Sequence, residues 1–234
     1  GLRFVPESGF TRQNPYDSAF MGRQARPLDR FIQQNIYDEA GIYEYRVLPL
    51  LDNPFNNAVP SYFYPTIGGY SGAKLSLFQD VFMSNNAALF DGPLGINIDL
   101  LRLFNTKYIS YSGGLNIPGI VPVYSSEQGS VYEVQDIMPK AFFVDSIRLV
   151  RSGAEAFDYL KNPSRIDFSS VALVEQADLW EDQAIERINR LSSSPLVDST
   201  SIVRVTKYTG AELEVSIQRS SPGFLVINEL YYPA

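Results

Sequence analysis

The hydrophobic pattern changes its period near Lys107, and this change constrains the fold more than any other feature of the chain. Before it, apolar residues recur mostly at helical spacing, as in Leu28, Ile32 and Ile36. After it, short segments alternate apolar and polar residues, most clearly over residues 211–218. Period 3.6 predicts helices and period 2 predicts half-exposed strands. The sequence therefore predicts an α+β fold, with a mixed α/β part followed by a β-rich, sandwich-like part with inserted helices.

Five segments have the apolar spacing of helices. Two of them begin with a capping signal, which is Asn97 in one case and Ser152 with Glu155, a capping box, in the other. Another, with Leu75 and Phe78 on one face, is apolar nearly all round, which predicts a buried helix. The predicted helices cover residues 28–36, 75–82, 98–104, 153–160 and 184–191.

Strand-like segments are bounded by turn residues such as "YTGA" and "SSPG". The last of them predict a β-meander that stops abruptly and lacks further strands. We expect a domain boundary near Gln135, because helices and strands are mixed before it and strands dominate after it, with one part over residues 1–135 and a second over residues 136–234. The predicted strands cover residues 43–51, 107–113, 120–126, 130–136, 141–150, 169–176, 211–218 and 224–232.

Composition excludes several classes of chemistry. The 234 residues include no histidine and no cysteine, which removes Ser-His-Asp triads, thiol nucleophiles and zinc sites built on these ligands. The net charge of −7 argues against nucleic acid as a partner, because phosphate binding needs a basic face. The acidic residues show no spacing that singles out a catalytic pair. We therefore expect no catalytic residue, no metal and no cofactor in this chain.

A glycine-rich stretch, "TIGGYSGAKLSLFQD" at residues 66–80, is the main candidate for a site. It fails as a phosphate-binding loop, because Lys74 has the wrong spacing from the glycines and is followed by Leu75 and not by a hydroxyl residue. Ser71 and Lys74 match the Ser-x-x-Lys pattern of penicillin-binding proteins and related hydrolases. The companion elements are poor, since "KYTG" has one residue too many and no Ser-Asp-Asn occurs.

The simpler interpretation of this stretch concerns the backbone. Gly68, Gly69 and Gly72 would permit a tight turn with positive φ before the buried helix. Tyr70 and Lys74 would then face a partner or a ligand. The predicted ligand-binding or interface residues are Gly68, Gly69, Tyr70, Ser71 and Lys74.

Four ordered segments resemble the extracytoplasmic region of YfhO-family bacterial membrane proteins. The first is "EYRVLPLLDNPFNNAVPSYFYPTIGGYSGAKLSLFQDV", and the second is "LLRLFNTKYI". The third is "VYEVQDIMPKAFFV", and the fourth is "GFLVINELYYP". Together the resemblance covers roughly residues 43 to 234, and the order of the segments makes it specific.

The resemblance implies a polytopic membrane protein with a GT-C-like glycosyltransferase architecture and a lipid-linked sugar donor. The implied catalytic carboxylates belong to a membrane half that is absent from this chain. We therefore expect an extracytoplasmic, membrane-associated domain whose partner is that half, with a lipid-linked sugar or a cell-envelope glycan as ligand. The isolated chain is expected to be inactive. Two alternatives stay open, a stand-alone carbohydrate-binding or adhesion module and a Ser-Lys hydrolase.

Overall fold

A computed structural model describes residues 25–37, 45–68, 81–82, 88–90, 95–162, 165–176, 186, 188, 200–208 and 212–229. Helices and several sheets within these ranges confirm the predicted α+β class. The helices are α1 (Pro27–Asn35), α2 (Ile98–Leu103) and α3 (Gly153–Lys161). The strands are β1 (Arg46–Pro49), β2 (Thr106–Tyr111), β3 (Ile120–Ser126), β4 (Gly129–Val134), β5 (Ala141–Val144), β6 (Ser146–Val150), β7 (Val171–Glu175), β8 (Ile202–Tyr208), β9 (Leu213–Gln218) and β10 (Phe224–Ile227).

A four-stranded sheet in the order β1-β2-β4-β3 forms the centre of the first part. β1 is parallel to β2, and the other pairs are antiparallel. Successive residues of one strand face opposite sides of a sheet. Val47 and Leu48 accordingly belong to two different apolar clusters, and both are fully buried. The sheet is thus covered on both faces, which explains why β1 is almost continuously apolar.

Helix α1 contributes to one of these two clusters. Leu28 and Ile32, and Ile36 just after the helix, are fully buried beside Val47 and Val131. Their spacing of four residues places them on one stripe of the helix, as the sequence predicted. The other cluster contains Leu100 and Leu101 of α2.

The capping signals in the sequence identified two helix starts. Asn97 accepts a hydrogen bond from the backbone N–H of Leu100, and Ser152 accepts one from the N–H of Glu155. The Glu155 carboxylate accepts from the N–H of Arg151, one residue before the cap. Both predicted helices are therefore confirmed, because a cap depends only on neighbours in sequence.

The predicted single strand over residues 141–150 is wrong. The chain forms β5 and β6, and these belong to different sheets. Between them, the N–H groups of Asp145 and Ser146 both donate to the carbonyl oxygen of Ser170, at 2.7 and 3.0 Å. This interruption lets β5 pair with β10 while β6 pairs in parallel with β7.

The last three described strands do not form the predicted meander. β8 and β9 are an antiparallel pair, whereas β10 pairs with β5 and not with β9. Strand β10 is also only half-buried. The sequence pattern predicted strands at β9 and β10 but none over β8. The pairing of β10 with β5 depends on a segment about 80 residues earlier, which local pattern does not encode.

Several contacts cross the predicted boundary near Gln135. Phe157 and Leu160 of α3 pack against the core cluster that contains Leu100. The side chain of Asn228 donates to the carbonyl oxygen of Leu103. The two parts therefore share contacts, and the division at residue 135 stays a prediction.

Two helix predictions fall largely outside the described residues. Of the segment 75–82, Val81 and Phe82 are helical and buried. Of the segment 184–191, Glu186 and Ile188 are helical, and Ile188 is buried.

The hydroxyl of Thr106 provides a test of this core. Thr106 is fully buried on β2, and its Oγ1 has no hydrogen-bond partner within the described part of the chain. Because an unpaired buried hydroxyl costs stability, Thr106→Val should leave the free energy of unfolding unchanged or raise it by about 1 kcal/mol. Urea unfolding measures this change.

The matched control is Thr206→Val, because Thr206 lies exposed on β8, where its hydroxyl donates to the carbonyl oxygen of Glu214 at 3.4 Å beside competing water. Its effect should stay within about 0.5 kcal/mol. A loss of more than about 1 kcal/mol in Thr106→Val would show that the hydroxyl has a stabilising partner and would contradict an unpaired buried hydroxyl.

Candidate functional site

One of the five predicted site residues lies within the described residues. That residue is Gly68, and it lines a cavity of about 520 Å³. Gly69, Tyr70, Ser71 and Lys74 lie outside the described residues, so their predicted roles stay predictions. The Ser-x-x-Lys hypothesis depends on two of these and is likewise untested.

Gly68 is required for close packing and not for a left-handed turn. The φ angle of Gly68 is not positive, so the predicted positive φ is wrong at this position. A methyl carbon placed on Gly68 would lie 1.9 Å from the carbonyl oxygen of Pro54, which no side chain can tolerate. The glycine lets two backbone segments touch at the edge of the cavity.

The cavity lies where β1, β5 and β10 meet the segment before Gly68, the end of α2 and the end of β8. Much of its wall is apolar, including the rings of Phe104 and Phe142. Hydroxyl groups of Ser61 and Thr66 also line it, and these two oxygens lie 3.0 Å apart in a hydrogen bond. Its other lining residues are Arg46, Tyr64, Pro65, Ile67, Gly68, Phe82, Leu103, Tyr208, Val226, Ile227, Asn228 and Glu229.

Arg46 anchors the polar side of the cavity. Its guanidinium donates to the carbonyl oxygens of Phe104 and Asn228, at 3.0 and 2.7 Å. It also donates to Oδ1 of Asn228 and to Oε1 of Glu229, at 3.1 and 2.8 Å. The planar guanidinium is suited to several fixed acceptors at once. One side chain thereby joins β1, the end of α2 and the segment after β10.

Glu229 accepts from two further groups. Lys140 Nζ lies 2.9 Å from Glu229 Oε2, and the Tyr208 hydroxyl donates to the same oxygen at 2.6 Å. Lys140 Nζ also lies 4.0 Å from the centre of the Tyr208 ring. The Lys140 side chain is only 2% exposed, so its charge depends on these neighbours. We call Arg46, Lys140, Tyr208, Asn228 and Glu229 together the Arg46 cluster.

Burial and charge shift the pKa values of this cluster. Burial, together with the positive charge of Arg46, lowers the pKa of Lys140. Burial alone would raise the pKa of Glu229, but the charge of Arg46 and the hydrogen bonds from Lys140 and Tyr208 outweigh it and hold the pKa at about 2. Burial and the Glu229 carboxylate raise the pKa of Tyr208 well above its usual range. The carboxylate therefore stays ionised at neutral pH.

A second polar network lies behind Tyr64, which also lines the cavity. The Tyr64 hydroxyl donates to Asp29 Oδ1 at 2.8 Å, and Asp29 is fully buried. Arg26 bridges two carboxylates, because its Nε lies 2.8 Å from Asp29 Oδ2 and its Nη2 lies 2.5 Å from Asp52 Oδ2. Burial of Tyr64 and the adjacent Asp29 carboxylate raise the pKa of the phenol far above its usual range. This network fixes α1 against the sheet and holds Tyr64 in the cavity wall.

The arrangement is suited to holding a shaped cavity and not to acid–base chemistry. Both carboxylate oxygens of Glu229 accept hydrogen bonds, and its pKa is far below neutrality. A general acid or base instead needs a pKa near the working pH and access to the substrate. Within the described ranges, no group of three or more acidic side chains is placed to hold a metal ion.

No protein-family model, curated protein or solved structure matches this chain. Among the described residues, no helix is both long enough and apolar enough to cross a membrane.

Sequence reasoning did not identify the Arg46 cluster. Lys140 directly precedes the apolar run "AFFV", and Asn228 and Glu229 directly follow "FLVI". A charged residue that adjoins a buried strand needs a partner when the strand packs, which is the signal that could have indicated the cluster. The partner itself could not be predicted, because Arg46 and Glu229 are 183 residues apart.

Replacement of Gly68 by alanine tests the close backbone contact. We expect Gly68→Ala to lower the free energy of unfolding by about 3 kcal/mol, because the added methyl would overlap Pro54. The matched control is Gly114→Ala, since a methyl there would have no atom within 4 Å. Urea unfolding of both variants provides the comparison. Equal stabilities would contradict the contact described here.

Replacement of Glu229 by glutamine tests the charge of the cluster. At about pH 7, Glu229→Gln should lower the free energy of unfolding by about 2 kcal/mol, because it leaves the buried Lys140 without a counter-ion. The folded pKa of about 2 lies below the ordinary 4.5, so the carboxylate stabilises the fold above about pH 4.5. This contribution falls as the pH drops from about 4.5 towards 2.

The difference in stability between the wild type and Glu229→Gln should therefore be smaller near pH 3 than at about pH 7. Unfolding by urea at the two pH values measures it. Glu127→Gln is the control, because Glu127 is exposed in the turn between β3 and β4. A difference that does not depend on pH would show that the ionised carboxylate contributes nothing.

Proposed function

We propose that this chain is the extracytoplasmic domain of a polytopic membrane protein resembling the YfhO family. In this proposal it supports transfer of a sugar from a lipid-linked donor to a cell-envelope acceptor. Its partner is the membrane-embedded half of the same protein, which carries the catalytic residues. The domain lies on the extracytoplasmic side of the membrane and has no activity alone.

The observation that carries the proposal is the convergence of the four resembling segments on one place. Arg46 comes from the first segment, and it donates to the carbonyl oxygen of Phe104 in the second. Lys140 comes from the third segment, and its ion pair with Glu229 reaches the fourth at 2.9 Å. Segments that are far apart in sequence thus build one cluster, which is what a shared functional constraint would require.

Further hydrogen bonds join the same segments. The Asn105 side chain donates to the carbonyl oxygen of Met138 at 2.8 Å, which joins the second segment to the third. The N–H of Asn228 donates to the carbonyl oxygen of Lys140 at 2.7 Å, which joins the fourth to the third. Gly68, from the first segment, lines the adjacent cavity. The resembling residues therefore surround the cavity, which we propose as the part of the domain that serves the membrane half.

The cavity also favours a second candidate function, a stand-alone carbohydrate-binding module. Rings of Phe104, Phe142 and Tyr208 line it together with the hydroxyls of Ser61 and Thr66. Aromatic faces with a few polar groups are suited to sugars. Calorimetric titration of the isolated chain with soluble oligosaccharides distinguishes the two proposed functions. Binding of an oligosaccharide by the isolated chain would favour the carbohydrate-binding module.

The test of the proposed function uses the complete reading frame that contains this chain. Membrane vesicles that contain the complete protein should transfer labelled sugar from polyprenyl-phosphate donors to an envelope acceptor, whereas the isolated chain should not. Transfer by the isolated chain, or a reading frame without membrane spans, would overturn the proposal.

A matched pair of substitutions then tests the Arg46 cluster in the complete protein. Arg46→Lys should lower transfer at least about tenfold, because an ammonium cannot serve the four acceptors that the guanidinium reaches. Arg204→Lys is the control, since Arg204 is exposed on β8 away from the cluster. Transfer is normalised to the amount of protein in the vesicles. Equal rates of sugar transfer in the two variants would show that the Arg46 cluster plays no part in transfer.

A further inference from the structure

We propose that the chain pairs with a second copy of itself along the outer edge of β9. The two β9 strands would run antiparallel about a two-fold axis beside Val215, which gives one sheet in the order β8-β9-β9-β8, with two strands from each copy. This pairing goes beyond the proposed function and does not depend on it, because no residue of β9 lines the cavity beside Gly68.

The outer edge of β9 has no partner strand among the described residues. β9 pairs with β8, and no described element other than β8 packs extensively on it. None of its six residues is buried, and Ile217 is 48% exposed. A two-stranded ribbon is marginally stable alone, and the free backbone N–H and C=O groups of an edge strand can pair with a further strand.

Both edges of the four-stranded sheet, in contrast, are blocked. On the outer side of β1, the N–H of Val47 donates to the carbonyl oxygen of Pro65, and the N–H of Ile67 donates to that of Val47. At the opposite edge, β3 contains Pro122, and its register with β4 shifts beside this residue. A covering segment, a proline and an irregular register all prevent the addition of another strand.

Of the β8–β9 pair, β8 carries such features and β9 does not. β8 contains Arg204 and Lys207, and its register with β9 shifts between Val205 and Lys207. β9 contains no proline, lysine or arginine over residues 213–218. Its one charged side chain, Glu214, lies 3.5 Å from Lys207 Nζ. β9 is therefore the edge that a second strand can join, and the protected β8 edges stop the assembly at two copies.

The apolar residues of β9 complement themselves in this arrangement. Leu213, Val215 and Ile217 lie on one face, because residues two apart in a strand share a face. Centring the pair on Val215 places Leu213 opposite Ile217 of the second copy and Val215 opposite itself. The shared apolar face continues onto Val205, which lies opposite Val215 on β8. A register shifted by one residue would lose this match, since it would put apolar residues beside polar ones.

The charges favour the same register. Glu214 lies opposite Ser216 of the second copy, so no like charges meet. Centring the pair on Glu214 would place two carboxylates directly opposite each other, which is destabilising. Centring it on Ser216 would leave two apolar pairs in place of three. Residues 202–218 contain two cations and two carboxylates, so the net charge of −7 of the chain does not accumulate at this edge.

Sedimentation equilibrium of the 234-residue chain measures this self-association. Two six-residue strands bury less surface than an interface of standard size, so we expect a weak dimer with a dissociation constant of about 10–100 μM. A chain that stays monomeric at about 1 mM, or that forms a series of larger oligomers, would overturn the inference.

A matched pair of cysteine substitutions locates the contact, because the chain has no cysteine of its own. Val215→Cys places two thiols across the axis within the Cα separation of about 4.4–6.8 Å that a disulfide needs. Val205→Cys is the control, since Val205 is also half-buried but its two copies would lie about 14 Å apart. With copper phenanthroline as the oxidant, Val215→Cys should cross-link at least about tenfold faster. Equal rates of cross-linking would contradict pairing along β9.

Opposite charges at the axis provide a second test. Val215→Lys and Val215→Glu should each weaken self-association at least about tenfold, because like charges would meet at the axis. An equimolar mixture of the two variants should restore the dimer, which misfolded variants could not do. Folded variants that associate as the wild type does, or a mixture of folded variants that stays monomeric, would overturn the inference. Should either variant fail to fold, the cysteine comparison decides.

The complete protein separates a second copy from other occupants of this edge. Val215→Cys should also cross-link in membranes that contain the complete reading frame. Cross-linking of the 234-residue chain but not of the complete protein would assign the edge to another segment of that protein and overturn the inference. Sugar transfer is measured separately, so failure of the proposed function and failure of the dimer are distinguishable.

Discussion

The ion pair between Arg46 and Glu229 joins the first described strand to the segment after the last one, and the cavity depends on it. The two side chains meet at 2.8 Å across 183 residues of sequence. Arg46 also reaches the carbonyl oxygen of Phe104, and Glu229 reaches Lys140, so four separate segments share one set of contacts. A buried cation is costly without a counter-ion, so each member is stabilising only while its partners are in place.

The cavity follows from this cluster together with a close backbone contact. Gly68 lets its segment contact the backbone of Pro54. Residues of the Arg46 cluster line the same cavity, together with several apolar side chains. Tyr64 also lines the cavity, and the hydrogen bond from its hydroxyl to the buried Asp29 fixes the position of its ring. The charged groups are largely paired with each other, which suits a rigid binding or supporting surface better than a reaction centre.

Helices α1, α2 and α3 and most of the described strands could be predicted from the sequence because their signals are local. Asn97 and Ser152 each accept from a backbone N–H three residues away, and alternation predicted β9 without reference to its partner. The break at Asp145 and the pairing of β10 with β5 could not be predicted, since they depend on a carbonyl at Ser170 and on strand choice over a long distance. The Arg46 cluster was missed for the same reason.

The mutual dependence of the buried Lys140 and its partner Glu229 can be measured most directly by a double-mutant cycle with Lys140→Met and Glu229→Gln. Each single variant leaves one charge of the pair without its partner, whereas the double variant removes both charges. The double variant should lose less stability than the sum of the single losses, with a coupling of about 2 kcal/mol or more in urea unfolding at about pH 7. Losses that add to within about 0.5 kcal/mol would contradict it.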